Sequence, residues 1–161
     1  MDPRLQKLID ESEIRNLVAR LAHMADLAED LTEYFSLWTE DGVYDVREPI
    51  GHKPGEPSQA KKVTGHAELR ADRAMLRGTK FQGPGTDVWH ANTTLSVKVH
   101  DDGKTAEAES YWLLVHGHEK VGVVRIGHYH DTFRKTPQGW KISYRTVTPN
   151  KGGPSPQPLK K

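Results

Sequence analysis

The sequence predicts an α+β domain in which a curved antiparallel sheet wraps around N-terminal helices. Three observations carry this prediction. Helical periodicity is confined to the residues before about 78, long strand-like runs follow one another through the second half, and turn signals separate those runs. At 161 residues the chain is expected to form one domain with a substantial core, spanning 1–148, followed by a Pro/Gly/Lys-rich tail at 149–161.

The first helix is expected over residues 3 to about 28. Pro3 suits a first turn, and Ile14, Leu17, Val18, Leu21 and Ala25 recur at helical spacing to build one apolar stripe. Asp26 falls at the border of that stripe, where it can look into a cavity edge, while His23 lies nearer the opposite face. A second short helix would place Leu31, Tyr34, Phe35 and Trp38 on one face, with Thr39-Glu40-Asp41-Gly42 ending it and a strand running from Val43 to Val46. The stretch from Glu48 to Lys62 holds three Pro and two Gly, so it reads as a surface excursion or a mobile flap over a pocket. Thr64 can cap a helix over 65–78, whose apolar pattern is weak.

After the turn at Gln82-Gly83-Pro84-Gly85, strands are expected at about 88–99, 104–118, 121–135 and 139–147. Asp101-Asp102-Gly103 makes the first hairpin turn. The tail from Pro149 has no periodicity and is expected to be disordered.

Composition narrows the function. The 23 basic residues nearly balance the 22 acidic ones and are dispersed, which disfavours nucleic acid and anionic lipid as partners. Without cysteine there is no disulfide, thiolate nucleophile or thiolate metal site. The charged N-terminus lacks a signal-peptide core, and no run reaches the ~18 apolar residues of a membrane span. A soluble, cytoplasmic protein is expected.

Strand phase decides which side chains can enter an inner pocket. In 104–118, with Glu107 and Glu109 facing solvent, Ala106, Ala108, Ser110, Trp112, Leu114 and His116 point inward. In 121–135 the residues alone leave two faces open. One carries Arg125, Gly127, Tyr129, Asp131 and Phe133; the other carries Ile126, His128, His130 and Thr132. Asp26 and His90 are the pair that most suggests chemistry, because a carboxylate that fixes the imidazole tautomer can make it a proton shuttle near neutral pH. A helix Asp beside a strand His is also a common structural pair.

The order of a helix ending near Asp26, then Leu37-Trp38-Thr39-Glu40-Asp41-Gly42-Val43-Tyr44, Trp89-His90, Gly127-His128-Tyr129-His130-Asp131-Thr132-Phe133 and Gly139-Trp140-Lys141-Ile142 resembles the SnoaL-like proteins of the nuclear transport factor two-like superfamily. The resemblance covers roughly residues 5–147. It implies a cone-shaped barrel of curved, mixed, mainly antiparallel sheet wrapped around the N-terminal helices. The catalytic pattern resembles scytalone dehydratase and hexachlorocyclohexane dehydrochlorinase, which pair a helix Asp with a strand His at the positions of Asp26 and His90. By the same resemblance His116 matches a second catalytic His, Tyr44 a pocket aromatic, and Tyr129 a substrate-contacting position, which favours its face as the inner one. The pattern departs at Ala25, where the dehydratase has Tyr, at Leu21, where the dehydrochlorinase has Lys, and in a longer loop before His90.

The resemblance implies a cofactor-free lyase. His90, oriented by Asp26, would remove a proton while His116 or Tyr129 assists the leaving group, with loss of water, a halide or a small aldehyde. The aromatic candidates Trp38, Tyr44, Trp112 and Tyr129 favour an aromatic or polycyclic small molecule, and Arg125 and Arg145 are candidate contacts for a carboxylate or phenolate. Two other functions share the fold: the non-catalytic small subunit of an aromatic-ring dioxygenase, and a ligand-binding module. No metal site is expected, because the His116, His118, His128, His130 spacing is not diagnostic. A homo-oligomer, dimer or trimer, is expected, since Val121, Val123 and Ile126 would otherwise expose apolar surface.

Overall fold

The computed structural model describes residues 2–80, 82–117 and 121–151. Helix α1 (Pro3–Leu27) starts where expected: Pro3 occupies the first turn, and the Asp2 side chain accepts a hydrogen bond from the Arg4 amide at 2.8 Å. Its stripe of Ile14, Leu17, Val18, Leu21 and Ala25 is buried. The short helix α2 (Thr32–Ser36) ends before Trp38, which opens strand β1 (Trp38–Val46).

This corrects the expected second-helix face and the Val43 start. The Leu37 carbonyl accepts from the Ile142 amide at 2.9 Å, and Trp38 already pairs with Ile142. An irregularity between Trp38 and Val43 absorbs Thr39–Gly42 without breaking the strand. Gly42 is needed there, because a Cβ would lie 2.9 Å from the Trp38 ring.

The 48–62 excursion is shorter than expected: Lys61 and Lys62 belong to β2 (Lys61–Thr64), which pairs antiparallel with β1. A four-residue edge strand with two lysines carries too few apolar side chains to announce itself by pattern. Helix α3 (Gly65–Gly78) follows. Its Thr64 cap works through the backbone, as the Thr64 amide donates to Glu68 Oε2 at 2.8 Å.

Strands β3 (Val88–Val99), β4 (Thr105–His116), β5 (Gly122–Thr136) and β6 (Gly139–Pro149) match the four expected runs within two residues at each end. They form a six-stranded sheet of order β2-β1-β6-β5-β4-β3, in which only β1–β6 is parallel. The sheet is therefore mixed and mainly antiparallel, and it stays open at β2 and β3. Strand β6 runs through Pro149, and Asn150 bridges to Ile50; the expected disordered tail beyond 151 lies outside the described residues. No helix among the described residues is long and apolar enough to cross a membrane.

The core has two lobes. Residues of α1, α2, α3 and the inner sheet face form the larger one, and Trp112, Leu114, Tyr129 and Val147 form the smaller, with Tyr44 packed against both. The face of β5 carrying Tyr129, Asp131 and Phe133 is the buried one. Where the two lobes meet, they leave a cavity.

Candidate active site

Residue Asp26 sits in the last turn of α1 and is 4 % exposed. It accepts two hydrogen bonds from one residue, His90: Oδ2 from the backbone amide and Oδ1 with ring Nδ1, each at 2.7 Å. The main-chain bond fixes where β3 passes α1, and the ring bond fixes the imidazole orientation. With Asp26 ionised, Nδ1 carries the proton and Nε2 keeps its lone pair. Among the described residues Nε2 has no hydrogen-bond partner, and the His90 ring lines both compartments of the cavity.

The end of α1 is held by α3. Helix α1 has no basic residue in its last turn, but the Arg77 guanidinium donates to the carbonyls of Met24, Ala25 and Ala28 at 3.2, 3.4 and 2.6 Å, and to that of Glu29 at 3.1 Å. The carbonyls of Met24 and Ala25 in the last turn and of Ala28 at the C-cap are of the kind a helix end leaves unpaired, so Arg77 both satisfies them and complements the helix dipole. Asp26 lies within this clamped turn.

The inner compartment is a slit of about 20 Å³, room for about one water, lined by Tyr34, Tyr44, Arg73, His90, Asn92, Tyr129 and Arg145 with three apolar residues of α1. It shares Tyr44, Arg73, His90 and Tyr129 with an outer chamber of about 200 Å³. Gln59, Lys61, Gln82, Trp112 and Arg125 complete the polar and aromatic wall of that chamber. The 48–62 excursion thus contributes directly: Gln59 accepts a hydrogen bond from Arg125 at 2.7 Å across the chamber wall.

Cations and rings alternate behind these walls. Arg145 holds Asp131 through two 2.7 Å hydrogen bonds, its guanidinium lies 4.1 Å from the Tyr129 ring centre, and Tyr129 stacks on Trp112 at 5.6 Å. Arg73 lies 4.8 Å from the centre of Tyr44 and pairs with Asp72, which also binds Lys61. Burial, reinforced by Tyr44, pushes the Tyr129 phenol well above its ordinary range, so at neutral pH Tyr129 can donate a hydrogen bond but cannot act as a base.

Of the residues singled out from sequence, the structure brings Asp26, His90, Tyr44, Tyr129, Trp112, Arg125 and Arg145 around this cavity. Trp38 is fully buried behind it, edge-on to Tyr44 at 6.3 Å, and lines neither compartment. His116 shares the inner phase of β4 but lines neither compartment; it pairs with Val88 and Gly122 at the sheet end, beyond an irregularity at Leu114/Val115. His128 and His130 sit across from Glu109, at 3.5 and 3.4 Å, and His118 lies outside the described residues.

Sequence reasoning missed Arg73, Arg77, Asn92 and Gln82. Leu69, Arg73 and Leu76 are spaced four and three residues apart, so Arg73 is legible on the apolar face of α3 once that spacing is counted. Asn92 stands two residues from His90 in β3 and therefore on the same face, the signal that would have found it.

Comparison with known proteins identifies the class. The profile of the SnoaL-like domain matches residues 6–146, and the chain belongs to that family. Among solved structures it is similar to an NTF2-like protein of cystatin-like fold from Novosphingobium aromaticivorans (27% identity, TM-score 0.72, covering 93% of this chain and 88% of that one). It also resembles the beta subunit of a candidate aromatic-ring-hydroxylating dioxygenase from the same organism (16% identity, TM-score 0.70, 93% and 95% covered). A third likeness is to a candidate dehydratase of the NTF2-like family from Streptomyces avermitilis (20% identity, TM-score 0.62, 88% and 96% covered). No curated protein gives a significant match.

Proposed function

We propose that this SnoaL-like protein is a cofactor-independent lyase that eliminates water, a halide or a small aldehyde from an aromatic small molecule. The observation that carries this is the two-point hold of Asp26 on His90, which leaves Nε2 unpartnered on a cavity wall. In the proposed step Nε2 takes a proton from the carbon next to the one that bears the leaving group. The C–H pair becomes the new double bond, and the leaving group departs with its bonding pair. Hydroxide leaves as water by accepting a proton from the imidazolium; a halide leaves as the anion. For a retro-aldol, Nε2 takes the hydroxyl proton, the O–H pair forms the aldehyde C=O, the C–C pair moves to the acidic carbon, and the imidazolium returns the proton to that carbon.

Tyr129 serves as donor to a developing oxyanion, and the Arg145 guanidinium against its ring favours negative charge nearby. Proton transfer by a positioned group typically contributes ~10²- to 10⁴-fold, enough for a substrate whose ring already delocalises charge. His116, at the sheet end, has no part in this proposal.

A second function, as a non-catalytic partner of a larger oxygenase chain, is favoured by the outer sheet face, where Trp89, Tyr111, Val123 and Ile126 are exposed. Self-association would cover the same face. The purified chain, supplied with aromatic compounds bearing a β-hydroxyl or β-halide, should release product alone and in the presence of a chelator. Activity only with a copurifying larger chain would favour the subunit role.

A further inference from the structure

The outer chamber contains a one-sided set of unmet hydrogen-bonding groups. Three buried nitrogens on its wall, Arg73 Nε, Trp112 Nε1 and Arg125 Nε, have no partner among the described residues, and all three can only donate. The buried Gln82 amide nitrogen is a fourth. Arg73, Gln82 and Trp112 are each no more than 5 % exposed, so bulk water does not readily satisfy them. Among the described residues no orphaned buried acceptor belongs to a residue of this chamber; one, Asn92 Oδ1, borders the inner slit.

Charge has the same sign. No carboxylate lines either compartment among the described residues, whereas Lys61, Arg73 and Arg125 line the outer one. Lys61 and Arg73 share a single carboxylate, Asp72, and the partner of Arg125 is the neutral Gln59 amide. Two cations on one anion, with a third cation beside them, leave excess positive charge facing the chamber, although Lys61 and Arg125 are partly exposed. Donors without acceptors and an excess of cations over carboxylates are both relieved by one kind of guest.

We infer that the outer chamber takes the carboxylate of an aromatic acid, so that the substrate class is an aromatic carboxylic acid rather than a neutral arene. This rests on the cavity being the small-molecule site proposed above. The carboxylate oxygens accept from the Arg73, Arg125 and Gln82 nitrogens, and the ring lies against the Tyr129–Trp112 stack, which places the rest of the molecule against His90 on the wall that the chamber shares with the inner slit. The acid group binds and orients; it takes no part in the bond changes.

Calorimetric titration with 2-naphthoate and its neutral isostere 2-naphthamide tests this without turnover. The acid should bind more tightly than the amide by at least about ten-fold, the scale of one charge-assisted contact. That preference should shrink in Arg125→Met, whose side chain is partly exposed, and in Gln82→Leu. His90→Ala should keep it, so turnover retained in His90→Ala together with a retained preference sinks the lyase proposal and not this one. Equal affinities, no binding of either compound, or a preference unchanged in both Arg125→Met and Gln82→Leu would overturn the inference.

Discussion

Asp26 binds His90 twice, through the main-chain amide and through ring Nδ1, both at 2.7 Å. One carboxylate therefore sets the position of a strand and the tautomer of its imidazole together. The tautomer can be observed without a substrate: nitrogen NMR should find the His90 proton on Nδ1. In Asp26→Asn the anion that selects this tautomer is gone, so a mixture should appear and turnover should fall by ~10²- to 10⁴-fold. A proton resident on Nε2 in the parent protein would remove the base from the cavity.

The clamp of Arg77 on the end of α1 gives a prediction at a distance from the chemistry. Arg77→Met leaves the Met24, Ala25 and Ala28 carbonyls without their donor. Hydrogen bonds to a charged group contribute about 1.5–3 kcal/mol, so denaturant unfolding should show a loss of that order. Turnover should drop as well, because Asp26 lies in the turn that loosens. Unchanged stability would mean the clamp is idle.

Arg145 and Asp131 form a buried two-bond pair across β5 and β6. Removing one member leaves the other charge uncompensated, which typically costs ~3–5 kcal/mol. Arg145→Met should therefore destabilise strongly by chemical denaturation, while Arg145→Met combined with Asp131→Leu should recover much of the loss.

Acid sensitivity should trace in part to Asp10, buried on α1. Burial alone would raise its pKa, but hydrogen bonds from Lys135 at 2.6 Å and from Trp140 and Gln6, each at 3.1 Å, outweigh that and lower it. A folded-state pKa below the unfolded one gives stability that is fully present above the ordinary aspartate value of ~3.9 and is lost as pH falls through the folded-state value. Asp10→Asn should be less stable than the parent at neutral pH and should lose less on acidification. Parallel stability curves would contradict this.

Much of the fold was legible because the long strands alternate cleanly and are separated by strong turns: β3 to β6 begin and end near the expected residues. Asp26 was legible as the polar residue at the edge of the α1 stripe. What local pattern could not convey was set by tertiary contact. Trp38 looks helical beside Tyr34 and Phe35, yet its pairing with Ile142 draws it into β1. Arg77 looks like the solvent face of a weak helix, since arginine is rarely buried, and only the facing end of α1 gives it an inward role. His116 has the right strand phase and the wrong end of the strand.

The central proposal is that His90 Nε2 abstracts a carbon-bound proton. Solvent deuterium uptake into a substrate of the isolated chain, compared between the parent and His90→Ala, tests it most directly. The parent should exchange or eliminate, and the variant should lose both by at least about 10²-fold with the fold retained by circular dichroism. Deuterium uptake at the parental rate in a folded His90→Ala protein would contradict it.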